Sequence, residues 1–151
     1  MKAKQVAYWV TTALITAELI AGGVTDLARG REVLVAGQPV VDVLHQLGYP
    51  TYLLAILGVW KLLAAAALLA PGLPRLKEWA YAGVFFELSG AALSHAAVER
   101  NLGNAAGPLF LATLALVSWA LRPQSRVLGV ILPQPSRRRD EAQASPGNVS
   151  T

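Results

Sequence analysis

Cysteine is absent from all 151 residues. That excludes disulfides, thiol nucleophiles, thiolate zinc sites and cysteine-ligated iron–sulfur clusters. Charge is scarce as well. Asp, Glu, Lys and Arg make up 15% of the chain, where a soluble domain carries about 25%. So little charge cannot cover a water-facing surface, and it argues against a nucleic-acid-binding role in spite of a pI near 9.8. A phosphate-cradling loop, a dinucleotide fingerprint and a nucleophile elbow are missing too. The only histidines are His45 and His95. Both fall on the same side of the predicted spans, which leaves no inward pair on facing helices for haem.

What the chain has instead is apolar sequence. Hydrophobic residues reach 54% and the mean hydropathy is +0.45. Charge-poor runs cover 6–27, 50–70, 79–98 and 105–121. As helices they measure roughly 33, 32, 30 and 26 Å, against a hydrocarbon core of ~30 Å. With so little polar chain to wrap them, the sequence predicts an all-α fold, a four-helix transmembrane bundle within residues 1–132. The first run is too long for the core of a cleaved signal peptide and contains Glu18 and Asp26. Pro71-Gly72-Leu73-Pro74 and Asn101-Leu102-Gly103-Asn104 read as turns between spans. In the first loop Pro39 suits a first helical position. Val40, Val41, Val43, Leu44 and Leu47 then oppose Asp42, His45 and Gln46, the pattern of a short amphipathic helix at the interface. Residues 133–151 are rich in Pro, Ser, Gln and Arg and are expected to form a disordered cytoplasmic tail.

Positive charge sets the expected topology. Lys2, Lys4, Arg75, Lys77, Arg122, Arg126, Arg137, Arg138 and Arg139 fall on one side, and Arg29, Arg31 and Arg100 on the other. This asymmetry places both termini in the cytoplasm. Tyr8, Trp9, Trp79, Tyr81 and Trp119 would then mark the inner boundary, and Tyr49 and Tyr52 the outer one.

The functional signal lies in the charges inside the spans. Glu18, Lys61 and Glu87 fall near the middle of the first three runs, where a charge costs roughly 2.5–3.5 kcal/mol on insertion scales. Each shares a helix face with small residues: Thr11 and Gly22 with Glu18, Gly58 and Ala65 with Lys61, Gly83, Gly90 and Ser94 with Glu87. The expectation is a charged cluster facing inward across close helix seams, with Lys61 paired to Glu87. One lysine cannot neutralise both glutamates, so a proton, water or a ligand makes up the difference. Two readings stay open: a structural cluster that fixes helix register, and a proton-handling or ligand-binding site. Asp26, His45, His95 and Glu99 form a second candidate, an outer pocket whose imidazoles and carboxylates suit a metal or a quinone oxygen. Their spacing matches no metal motif, so no metal site is assigned. The plainer reading is four separately satisfied polar groups.

Leu47-Gly48-Tyr49-Pro50, Ile56-Leu57-Gly58-Val59-Trp60-Lys61-Leu62-Leu63, Pro74-Arg75-Leu76-Lys77-Glu78-Trp79-Ala80-Tyr81-Ala82-Gly83, Phe85-Phe86-Glu87-Leu88-Ser89-Gly90-Ala91 and Ser94-His95 occur in that order. With the flanking spans, about residues 5–122, the chain resembles the DoxX-like family of small bacterial integral membrane proteins. The resemblance implies a multi-pass protein of the inner (plasma) membrane, an accessory subunit of a membrane redox complex. The alternatives are a quinone- or lipid-binding oxidoreductase component, or a small proton-coupled transporter, using the buried Glu/Lys cluster. Quinone is the one cofactor it brings in. The expected partners are the lipid bilayer and either other redox subunits or a second copy of the chain. The resemblance carries over no catalytic residue.

Overall fold

The long helices bury faces that mix aliphatic, small and hydroxyl-bearing residues, and turn further large apolar side chains outward. In the computed structural model, which describes residues 2–28, 33–35, 38–99, 102–123 and 126–127, the long helices are α1 (Lys2–Leu27), α3 (Tyr52–Leu69), α4 (Pro74–Val98) and α5 (Leu102–Ala120). On α1 the buried face runs Tyr8, Thr12, Ile15, Leu19, Gly23, Asp26. On α4 it runs Lys77, Tyr81, Val84, Leu88, Ala92, His95. Both sets follow the three-and-four spacing of one helix face. Ala105, Ala112, Ala115 and Ser118 face inward on α5. Val6, Val10, Leu14, Trp60, Phe86, Leu93 and Phe110 point outward and are exposed. Large apolar side chains thus fill the interior, with Ala65, Ala112, Ala115 and Ser118 among them, and also cover the outside, as suits helices surrounded by lipid.

α1 packs against α3 and α5, and α4 against α3 and α5, which closes a ring. Within it α1–α3 and α4–α5 are the more extensive contacts, and α1–α5 and α3–α4 are looser. Among the described residues α1, α3 and α5 are long and apolar enough to cross a membrane. α4 is 25 residues long but carries Arg75, Lys77, Glu78, Glu87 and His95 along it.

Gly23 and Gly58 make the tight α1–α3 crossing. A Cβ at Gly58 would lie 2.9 Å from the Gly23 carbonyl oxygen and 2.9 Å from Leu27 Cγ. Backbone cannot yield to such a contact as a flexible side chain can. Gly58→Ala is therefore expected to cost about 1–3 kcal/mol by prying the pair apart. Thermal unfolding in detergent, against Gly83→Ala where a Cβ meets nothing within 4 Å, measures it.

Several boundaries differ from the sequence expectation. α4 starts at Pro74, because helix formation continues through the charged residues that end the apolar run. Leu102, Gly103 and Asn104 form the first turn of α5 instead of a loop, and Pro108 lies inside that helix. α2 (Val40–Gln46) is present with Leu44 buried, and Pro39 is its N-cap residue. It ends in a Schellman motif: the Gly48 and Tyr49 amides bond to the His45 and Leu44 carbonyls, both at 3.0 Å. Gly48 meets the left-handed requirement of that turn with φ of 82°. Preceding α2, β1 (Val33–Val35) and β2 (Gln38–Pro39) form an antiparallel ribbon, a small departure from an all-α chain where β-branched valines favour extended backbone. Tyr8 and Tyr81, expected as interfacial anchors, are buried, while Trp9, Trp79 and Trp119 are exposed. The expected tail and the positive residues Arg29, Arg31 and Arg100 lie outside the described residues.

Candidate functional site

Lys61 sits ten residues into α3, at the level where α1 comes closest. Its Nζ donates to Asp26 Oδ2 at 2.9 Å and lies 3.3 Å from Glu87 Oε1. Glu18 shares the neighbourhood: the Cβ position of Gly22 is 3.3 Å from Glu18 Oε1 and 3.4 Å from Lys61 Nζ. Glu18 Oε2 is buried with no hydrogen-bond partner among the described residues. The cluster therefore holds one ammonium and three carboxyls, supplied by α1, α3 and α4. Asp26 was expected at the outer pocket. The Gly23–Gly58 crossing instead brings its carboxyl to the lysine, and it is only 3% exposed.

The surroundings of Glu87 also differ from a close seam. Nothing lies within 4 Å of a Cβ at Gly83 or Gly90. Gly83 and Glu87 instead line a groove of about 370 Å³ between α3 and α4, with Leu57, Trp60, Ala64 and Trp79 among its walls. Trp60 and Trp79 are 64% and 81% exposed, so the groove opens on the outer surface of the bundle. A separate cleft of about 340 Å³ is lined by Asp26, Leu27, Thr51, Tyr52, Leu54 and Ala55, at the end of the bundle where α3 begins. Lys61 thus connects a carboxyl on each opening.

Of the residues expected in the outer pocket, His95 and Glu99 lie together, while Asp26 turns to Lys61 and His45 to Thr51. His45 Nε2 and Thr51 Oγ1 are 2.8 Å apart at the rim of the cleft. His95 Nδ1 lies 3.1 Å from Glu99 Oε1, an approach without hydrogen-bond alignment, since that nitrogen is otherwise unpartnered. Glu99 accepts from the Asn104 amide at 2.6 Å. Asn104 and then His95 hold its carboxyl below the usual carboxylate range. Among the described residues no group of three His, Asp or Glu is placed to hold a metal ion.

The opposite end of the bundle carries polar contacts that the sequence did not reveal. Lys77 is fully buried, and its Nζ donates to the carbonyls of Ala67 at 2.7 Å, Leu68 at 2.8 Å and, at short range, Ala70. It caps the C-terminus of α3, whose last carbonyls and dipole both favour a cation. Arg122 pairs with Glu78 at 2.8 Å and lies over the Tyr81 and Trp119 rings. Arg126 donates to Tyr8 Oη at 3.3 Å and to the Leu68 carbonyl at 3.2 Å. Between the layers, the Thr12 and Ser118 hydroxyls are 2.8 Å apart, as are those of Tyr81 and Ser118.

The profile of the DoxX-like family matches residues 10–118, a stretch that contains every member of the charged cluster. The chain belongs to the DoxX-like family. As a DoxX-like protein with long apolar helices and many large apolar side chains on its outside, it is a membrane protein. No curated protein and no solved structure matches it.

Proposed function

We propose that this DoxX-like chain crosses the inner membrane four times, with both termini in the cytoplasm, and acts as an accessory subunit of a membrane redox complex that holds a quinone-type ligand between α3 and α4. The observation that carries the reading is the groove itself. It is apolar, faces lipid, and ends on the Glu87 carboxyl, behind which Lys61 lies at 3.3 Å. Its volume suits a single ring. Trp60 and Trp79 offer aromatic faces against which a flat head can stack, and the Glu87–Lys61 pair can exchange hydrogen bonds with a carbonyl or hydroxyl. A quinone supplies two-electron redox chemistry when bound; the residues here hold and orient it. α4 counts as the fourth span because Arg75, Lys77 and Glu78 lie within its first turns, His95 is buried, and Glu87 is paired with Lys61.

A photoreactive quinone analogue added to purified protein should label peptides containing Trp60 or Trp79. Glu87→Gln should weaken that labelling roughly ten- to hundredfold, as expected for losing a charge-assisted hydrogen bond of about 1.5–3 kcal/mol. Labelling spread over the whole lipid-facing surface, or unchanged in Glu87→Gln, refutes the site. A second reading, proton-coupled transport, draws on the cleft that reaches Asp26 from the other direction; substrate uptake into proteoliposomes that is driven by a pH gradient would favour it.

The topology is supported by nine positive residues on one side against three on the other and by Lys77, Arg122 and Arg126 sharing one end of the bundle. Reporters fused after Thr151 and inserted near Gly37 should report opposite sides of the membrane. The same side at both points would refute the four-span arrangement.

A further inference from the structure

We infer that Asp26, Lys61 and Glu87 form a proton relay joining the cleft at the α3 N-terminal end of the bundle to the lipid-facing α3–α4 groove. The two openings share no lining residue. Asp26 belongs to the cleft, Glu87 to the groove, and Lys61 Nζ lies 2.9 Å from the first and 3.3 Å from the second. Both separations are short enough for direct transfer. The Asp26 carboxylate takes a proton from the cleft, Lys61 passes a proton to the Glu87 carboxylate, and the neutral amine then takes the proton that Asp26 holds. One proton has moved, every group but Glu87 is restored, and the steps reverse without any oxidant or reductant.

Other titratable groups stand beside this line and not in it. Glu18, on α1, faces Lys61 from the Gly22 side and lines neither opening. α5 has no titratable Asp, Glu, His, Lys or Arg. His45 sits at the cleft rim through Thr51. At the far end of the bundle Lys77 is committed to three backbone carbonyls. The relay therefore reaches one side of the membrane only. Its endpoint rests on the groove reading above only for what receives the proton there.

The test uses the full chain in right-side-out and inverted membrane vesicles. The probe is a membrane-soluble carbodiimide, which modifies carboxyls only when they are protonated. Mass spectrometry identifies the modified residue. The expected result is modification of Glu87 that slows as pH rises on the Thr51 side and ignores pH on the other. Asp26→Asn removes the carboxyl at the cleft and should abolish that dependence. Ala55→Trp fills the cleft without touching a charge and should do the same, so a misfolded Asp26 variant does not decide the matter. Modification that follows the opposite side, persists unchanged in both variants, or is absent from Glu87 overturns the relay. A short-tailed quinone added to the same vesicles should shield Glu87. Failure to shield, with the pH dependence intact, removes the quinone reading and leaves the relay standing.

Discussion

Replacing Lys61 with Met is expected to lower stability in detergent by roughly 3–5 kcal/mol, the cost of leaving a buried charge without its partner. The reason is the imbalance around the ammonium. Asp26 and Glu87 both lie within ion-pair distance of it, and the Asp26 side chain is only 2% exposed. Without the lysine, Asp26 is left with no hydrogen-bond donor among the described residues. Removing a carboxyl together with the lysine should recover much of the loss, and the two carboxyls should differ. Lys61→Met with Asp26→Asn should recover more than Lys61→Met with Glu87→Gln, because Glu87 reaches the groove and is 21% exposed. Thermal denaturation of the single and double variants gives both cycles. Equal recovery from the two pairs would show that Asp26 is not the principal partner, and a Lys61→Met protein within about 0.5 kcal/mol of the parent would dismiss the cluster as a structural element.

The second large effect lies at the other end of α3. Lys77→Met is expected to cost about 3 kcal/mol, since it deprives three carbonyls of a charged donor and a charge-assisted bond contributes roughly 1.5–3 kcal/mol. Lys77→Arg should not restore the loss. The Nζ is held within a cup of carbonyls with no exposure, and a planar guanidinium is too large for it. Unfolding midpoints should fall for both, and hydrogen exchange should accelerate at the last turn of α3. Unchanged exchange there would mean that the carbonyls find other donors.

These two residues also mark what could and could not be read in advance. The helices were legible because each is written as a charge-poor run, and the long helices fall within a few residues of those runs. The approach of Lys61 to Glu87 follows from equal counts along antiparallel neighbours. Asp26 carried a usable signal: Glu18, Gly22 and Asp26 fall at i, i+4 and i+8, on one helix face. Its position near the end of an apolar run pointed to the outer surface instead, and only the depth of the Gly23–Gly58 crossing turns it to Lys61. Lys77 had no such signal. A lysine after a turn resembles any loop cation, and its burial depends on how tightly Pro71–Pro74 folds α4 back on α3. The α3–α4 groove was hidden for a similar reason, because the glycines that suggested close contact face open space.

The ring of helices closes along two edges of unlike chemistry. α1 meets α5 through the Thr12 and Ser118 hydroxyls, 2.8 Å apart. α3 meets α4 through Lys61 and Glu87, 3.3 Å apart. A hydroxyl clasp keeps its strength at any physiological pH, whereas an ion pair loses its attraction once either member becomes neutral. Acid therefore acts on the molecule asymmetrically, like a book with a sewn spine and a magnetic catch: the α1–α5 clasp is indifferent to it, the contacts of Lys61 loosen, and Lys77 keeps the far end of α4 pinned to α3.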